Sequence, residues 1–312
     1  MQLLWQILVN GVLLGGLYAL MALGLVLVWG VLNIVNLAHG ALIMLGAYAC
    51  YYLFTGFGLD PFAALPVAMV LLFCLGYLIQ RYVLNLVIRA PMFNTLLITF
   101  GFEVVITFLA QITFSADFRT VNPSYAGANF VWLGATVPLV RLAAFGVALG
   151  LTFALWLFLD HTGIGRAIRA TAQNLTAARL YGVNPRQLYA LTFGIGAALA
   201  GAAGALYGVV SQINPYIGSG LTGKSFAIAI IGGLEKSIYV LVGGLLLGIV
   251  EALTALYIGP TYTDVVSFGI LVLVLIVRPT GLLGRTACRR HISARWCSPR
   301  ASATRANSQR LV

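Results

Sequence analysis

Long apolar runs separated by short polar joints make up most of the chain. They cover approximately residues 3–29, 40–57, 62–88, 92–114, 139–159, 188–211, 225–234, 238–258 and 264–278. A helix needs about 20 apolar residues to cross the hydrocarbon core of a bilayer. Most of the runs reach or approach that length. The seventh is short, and it reads as half a helix, a re-entrant element or part of its neighbour. Small residues recur within the runs at helical spacing. Gly11, Gly15 and Ala19 lie on one face of the first, Gly196, Ala200, Gly204 and Gly208 on one face of the sixth, and Gly244 and Gly248 on the eighth. In lipid, helices associate by close packing rather than by expulsion from water, so such faces mark helix contacts. The pattern predicts an all-α, polytopic integral membrane bundle of about eight or nine transmembrane helices.

Composition points the same way. Hydrophobic residues make up 61% of the 312 and charged residues only 8%, against about a quarter charged in soluble domains. Mean hydropathy is +0.99. The first charged side chain is Asp60. The formal charge of +11 would suit a nucleic-acid partner, but its distribution does not. The cations cluster between Arg278 and Arg310 and in one internal loop, without interleaved aromatics. That is how the positive-inside rule marks cytoplasmic loops. Cys50 and Cys74 lie in apolar runs, Cys288 and Cys297 in the basic tail, and no CxxC occurs. Neither a metal site, a cofactor nor a disulfide framework is expected. The first run is too long for a signal peptide and lacks a basic leader, so it reads as the first spanning helix.

The loops set an orientation. Residues 161–187 contain Arg166, Arg169, Arg179 and Arg186 and no acid, and Arg81 and Arg89 mark a second basic joint. Asp60, Asp117 and Asp264 lie near the opposite ends. The basic joints then face inward, and counting back puts the N-terminus outside with nine crossings. A broken helix near Asn33–His39 is the alternative at the N-terminal end.

Residues 218–225, Gly-Ser-Gly-Leu-Thr-Gly-Lys-Ser, fit the phosphate-loop pattern GxxxxGK[ST]. That motif works only between a buried strand and a helix. Here it follows a Gly/Ala-rich spanning segment and lies toward the outer face. Nucleotide binding is therefore rejected, and any ATP-driven step must reside in another subunit. The 163–187 loop carries more information. Ala167–Ala172 and Thr176–Leu180 are helix-compatible, and Gly182 and Pro185 end them. A short surface helix with arginines on one side either docks into a partner's groove or anchors among lipid headgroups. Several polar side chains fall inside or at the ends of apolar runs: Asn10, Asn33, Asn36, His39, Glu103, Gln212, Asn214 and Glu251. Such groups face a bundle interior or a cavity. They could line a path for a zwitterionic solute, using half-helix termini and amides, or serve as interhelical hydrogen bonds.

The loop followed by Leu191–Leu206 resembles the cytoplasmic coupling loop and next helix of branched-chain amino-acid ABC importer permeases of the LivH type. Three further stretches match in order. The first is Gly16–Leu25 through Asn36-Leu-Ala-His-Gly40 to Gly46-Ala-Tyr48. The second is Ile231-Gly-Gly-Leu234 through Gly243–Gly248 to Glu251. The third is Val277-Arg-Pro-Thr-Gly-Leu-Leu-Gly284. The resemblance spans nearly all of residues 1–284. It implies a permease domain over 1–284, with the coupling loop at about 161–187. Residues 285–312 then form a basic cytoplasmic tail outside the resemblance. The ATPase-coupling residues it implies are Arg169, Thr176, Ala177, Ala178, Gly182, Val183, Asn184 and Pro185. The family usually carries acids near the positions of Asn174 and Thr176, and this chain does not. Lys224 has a family counterpart.

By resemblance, the chain is a non-enzymatic subunit in a bacterial inner membrane. It would pair with a second, LivM-like permease, two cytoplasmic ATP-binding subunits and a periplasmic or extracellular substrate-binding protein. The lipid bilayer is its surroundings, and nucleic acid is not a partner. A permease for urea or short amides shares these motifs. The rival of another class is an ion-coupled secondary transporter acting alone, with Glu103 and Glu251 as proton carriers. An intramembrane enzyme finds no His/Glu metal pair or Ser-His pair at a workable spacing.

Overall fold

The structure is a computed structural model that describes residues 2–87, 91–132, 135–233 and 237–277. It is a helical bundle. In chain order the helices begin with α1 (Gln2–Leu32), α2 (His39–Phe57) and α3 (Pro61–Ile79). A π-helical turn (Gln80–Leu84) and the short α4 (Asn85–Val87) extend α3, and α5 (Met92–Phe114) follows. A β-hairpin of β1 (Asn129–Trp132) and β2 (Ala135–Pro138) comes next, paired antiparallel with Phe130 opposite Val137. The chain continues through α6 (Leu139–His161), α7 (Gly163–Gln173), α8 (Leu175–Leu180) and α9 (Pro185–Val210). It ends with α10 (Ile217–Gly232), α11 (Ser237–Tyr257) and α12 (Thr263–Val277). Among the described residues, eight helices are long and apolar enough to cross a membrane. The segment beyond Val277, with the tail expected at 285–312, lies outside the described residues, as does Arg89.

α1 and α9 form the centre. In α1, residues from Leu17 to Val28 are buried, and so is α9 from Leu188 through Leu206 except for the partly buried Leu191 and Ile195. The small-residue faces make this possible. A Cβ on Gly15 would stand 2.7 Å from Cα of Leu245, and one on Gly244 would stand 2.7 Å from Cα of Ala19. Gly11, Gly15 and Ala19 therefore interlock with Gly244 and Gly248, the backbone-to-backbone contact that drives association in lipid. On α9, Gly196 meets Gly24 and Val28, while Gly204 meets Ile43 and Ala47 of α2. The outer helices behave oppositely. Phe100, Val105, Phe108 and Ile112 on α5, and Val265, Val272, Leu273 and Ile276 on α12, are exposed. An apolar surface of that extent needs lipid or partner helices around it.

Two joints depart from simple crossings. Between α1 and α2 the chain is irregular and partly buried over residues 33–38, so the break expected near Asn33–His39 is present. The expected seventh run at 225–234 belongs to a helix that begins eight residues earlier, at Ile217. α9 and α11 both start at the end of the bundle where α1 finishes, because a cavity there joins Leu32 to Asn184–Tyr189 and another joins Val31 to Ser237. The short α10 therefore carries the chain back across. Its 16 residues span about 24 Å at 1.5 Å per residue. The phosphate-loop look-alike at 218–225 forms the first half of α10 rather than a loop at the outer face. Gly218 there packs against Gly40 and Ala41.

The close faces predict a size limit. In Gly248→Leu the new side chain would start 2.5 Å from Cα of Gly15, where no rotamer can relieve it. Overpacking costs about 1–3 kcal/mol where side chains can yield, and here the obstacle is backbone. The expected result is loss of most monodisperse protein on detergent extraction. Gly101→Leu, at a position with nothing within 4 Å, should extract like the parent.

Candidate functional site

At the basic end, residues 161–187 form a compact, well-capped unit. Thr162 Oγ1 accepts from the Gly165 amide (2.9 Å) and caps α7. Arg169 pairs with Asp160 at the end of α6, which fixes α7 against the bundle. Gly165 packs on the backbone of Phe158 and Leu159, and Ile168 and Ala178 are buried. Asn174 Oδ1 accepts from the Ala177 amide (3.0 Å) and caps α8. After α8 the chain turns through Gly182 at φ +81°, a conformation that favours glycine. The Gly182 and Val183 amides donate to the carbonyls of Arg179 and Ala178, which closes the helix end. Asn184 Oδ1 then accepts from the Arg186 amide (3.2 Å) and caps α9. Pro185 therefore opens α9 rather than ending the preceding helix, consistent with the tolerance of proline in a first helical turn.

Of the residues expected to couple, Thr176, Gly182 and Asn184 face outward, Ala177, Val183 and Pro185 are half-buried, and Ala178 is buried. The tip itself was not singled out from the sequence. Leu180 is 85% exposed and Tyr181 89% exposed, two large apolar side chains side by side beyond the bundle. Their signal was an apolar pair directly before a terminating glycine.

The expected pathway residues scatter. Asn10 accepts from Arg141 (3.4 Å) near the hairpin end. Asn33, at φ +54°, opens into the cavity at the basic end. Asn36 is buried, with Oδ1 unpartnered beside a small cavity next to Thr99. His39 is buried and its Nε2 donates to the Met21 carbonyl (2.8 Å), which fixes the tautomer. Glu103 is half-buried on α5. Gln212 is exposed, and Asn214 Oδ1 accepts from the Tyr216 amide. No described cavity gathers these side chains.

Two features within the bundle do concentrate polar chemistry. The first is the irregular 33–38 segment. Thr99 Oγ1 accepts from the Leu37 amide and donates toward the Val35 carbonyl. Thr222 Oγ1 accepts from the Gly40 amide (2.9 Å) and lies 3.2 Å from the Leu37 carbonyl. Two distant threonines thus satisfy backbone that lipid could not. The start of α2 meets the start of α10 there, at Gly40 against Gly218. The second feature surrounds Glu251, which is 5% exposed. Lys224 Nζ lies 3.0 Å from its Oε1 and 3.1 Å from Oδ1 of Asp264. Tyr18 donates to Glu251 Oε2 (2.7 Å), and Ser267 donates to Oε1 (2.8 Å). Helices α1, α10, α11 and α12 meet through this cluster. Lys224, Tyr18, Thr99 and Thr222 were not predicted as functional residues.

The chain is thus a polytopic membrane bundle with an irregular buried joint, a buried charge network and a capped surface unit at one end. The family model described as branched-chain amino acid transport system / permease component matches residues 7–275. The chain belongs to that family. It is 35% identical over 294 residues to the protein named high-affinity branched-chain amino acid transport system permease protein BraD of Pseudomonas aeruginosa, covering 90% of this chain and 95% of that one. It is 35% identical over 290 residues to the permease protein LivH of Escherichia coli K12, covering 88% and 94%. With the permease protein LivM of the same strain it shares 26% identity, covering 86% of this chain and 68% of LivM. No solved structure matches the chain.

Proposed function

We propose that this chain translocates branched-chain amino acids (leucine, isoleucine and valine) across a bacterial inner membrane as one permease of an ATP-driven importer. The observation that carries the reading is the 161–187 unit. Its caps fix a short helix on the bundle, and its apolar tip is presented outward for a partner. The names of the relatives supply the substrate class. A second, LivM-like permease would complete the membrane part, two ATP-binding subunits would seat on the coupling unit, and a soluble binding protein would deliver the solute. In this reading the 161–187 face is cytoplasmic. Residues 1–284 would form the permease, and 285–312 a basic tail that follows it in sequence.

The chain's own chemistry is then non-covalent, alternating access rather than catalysis. ATP-driven closure of the partner subunits shifts Thr176–Pro185. α9 starts at Pro185 and reaches the bundle centre, so the movement passes to α1 and α2 across the Gly196 and Gly204 contacts. The break at 33–38 and the start of α10 lie along that route. Helix starts within the membrane offer positive dipole ends to a carboxylate, and Asn36 and His39 stand beside them. Glu251 has both oxygens engaged, which suits a structural anion better than a travelling proton's carrier.

Uptake of labelled leucine into vesicles with all subunits, binding protein outside and ATP inside, tests the reading. ATP-dependent accumulation that unlabelled isoleucine competes away and urea does not is the expected result. Accumulation without ATP would replace it with a secondary transporter, and competition by urea alone would replace the substrate.

A further inference from the structure

A cavity of about 940 Å³ opens at the basic end between the extension of α3 and the 161–187 unit. Its lining has a consistent character. Arg81 comes from the π-helical turn after α3, Arg179 from α8 and Arg186 from the first turn of α9. Among the described residues, no aspartate or glutamate lines it. Arg81 donates to the Tyr77 hydroxyl (3.1 Å) and lies over that ring, while neither Arg179 nor Arg186 has a carboxylate partner among the described residues. The start of the 26-residue α9 also borders the cavity, through Asn184 and Gln187. The positive end of the helix dipole makes such a start favourable for an anion, although Pro185 has no amide hydrogen and that of Arg186 is held by Asn184. Three cationic groups without a carboxylate partner among the described residues and a helix start thus converge on one space.

Apart from Asn33 and Asn85, the rest of the wall is largely apolar. Leu32, Leu86 and Leu175 line it beside Tyr82. Tyr82 is 65% exposed and Leu86 82% exposed, and both lie on the segment that closes a membrane span. The cavity therefore runs from a cationic head, next to the coupling unit, to an apolar strip continuous with the lipid-facing surface. A soluble anion would use the first part and leave the second bare. An acidic protein surface would not reach along the strip. Basic pockets beside spanning helices suit anionic lipid headgroups.

We propose that this cavity is a binding site for an anionic phospholipid. The phosphodiester sits among Arg81, Arg179 and Arg186 at the start of α9, and an acyl chain leaves along Tyr82 and Leu86. The bound lipid joins the end of α3 to α8 and α9, which braces the coupling unit from the bilayer side. The site does not depend on which solute is transported.

Spin-labelled phosphatidylglycerol and phosphatidylcholine distinguish the outcomes in vesicles of the full-length chain with its partner subunits. The expected result is a motionally restricted fraction favouring phosphatidylglycerol by at least about fivefold, the weight of a single arginine at a membrane surface. The preference should fall toward one in Arg81→Gln/Arg179→Gln/Arg186→Gln and persist in Arg166→Gln, on α7 outside the cavity. If the triple variant extracts poorly, Arg179→Gln alone should lower the preference by a measurable part. An unchanged preference in both variants overturns the proposal. So does displacement of the labelled lipid by millimolar inorganic phosphate, which would mark a soluble-anion site. Loss of co-purifying subunits with the lipid preference intact would assign the arginines to protein docking and overturn it too.

Discussion

Lys224→Met should be among the most damaging single substitutions in the chain, and Lys224→Met/Glu251→Gln should be markedly less damaging. Glu251 is almost fully buried, and Lys224 is the only cation paired with it among the described residues. Removing the lysine leaves a carboxylate in a low-dielectric interior, with Tyr18 and Ser267 as its remaining donors. Breaking one side of a buried pair costs about 3–5 kcal/mol, whereas removing both charges can be close to neutral. A bilayer makes the lone charge costlier still. Lys224 also ties α10 to α11 and α12, so loosening should appear in all three. The measurement is thermal unfolding of extracted protein, followed by aggregation or by cysteine accessibility. Asp264, 61% exposed on its side chain, is a weak partner in water, and Asp264→Asn should sit close to the parent. Equal stability of Lys224→Met and the parent would show that the network carries no structural load.

What could be read from the sequence follows from the range of the interactions. The short helices of the 161–187 segment were legible because their signals are local. Asn174, Gly182, Asn184 and Pro185 act within three or four residues of themselves, as caps and turns do. The glycine faces were legible because a period of 3.6 survives whatever lies opposite. The partner of each face was not, and only the structure shows that Gly11 and Gly15 meet Gly244 and Gly248. α10 was cut short because Gly218, Gly220 and Gly223 lower its apolar density and helix propensity. Packing compensates, since Gly218 and Gly223 let α10 lie against Gly40 and Phe268. The hydroxyls of Thr222 and Ser225 turn back to carbonyls four residues earlier. Lys224 was hidden by that same composition, which placed it in a phosphate-loop pattern. Its partner Glu251 is one helix further on, and no periodicity links two single charges on different helices. The satisfaction of residues 33–38 by Thr99 and Thr222 is likewise long-range.

Leu180→Ser/Tyr181→Ser is expected to lower ATP-driven uptake at least about tenfold while leaving the amount and thermal stability of the chain unchanged. Both side chains are almost fully exposed, so little folding energy depends on them. Their exposure is not set by the turn, which Gly182, Asn184 and the capped ends of α8 and α9 hold without them. An aromatic and an aliphatic anchor at the centre of an interface each contribute on the order of 2 kcal/mol, and about 1.4 kcal/mol is a factor of ten in affinity. The double variant should therefore release the ATP-binding subunits during purification, or leave them hydrolysing ATP without accumulation of leucine. Thr176→Ala, which faces the same way but offers little area, should change uptake only slightly. Uptake by the double variant at the parent's rate would mean the tip rests among lipid headgroups. The mechanical link would then have to run through α7 instead, where Arg169 is already committed to Asp160.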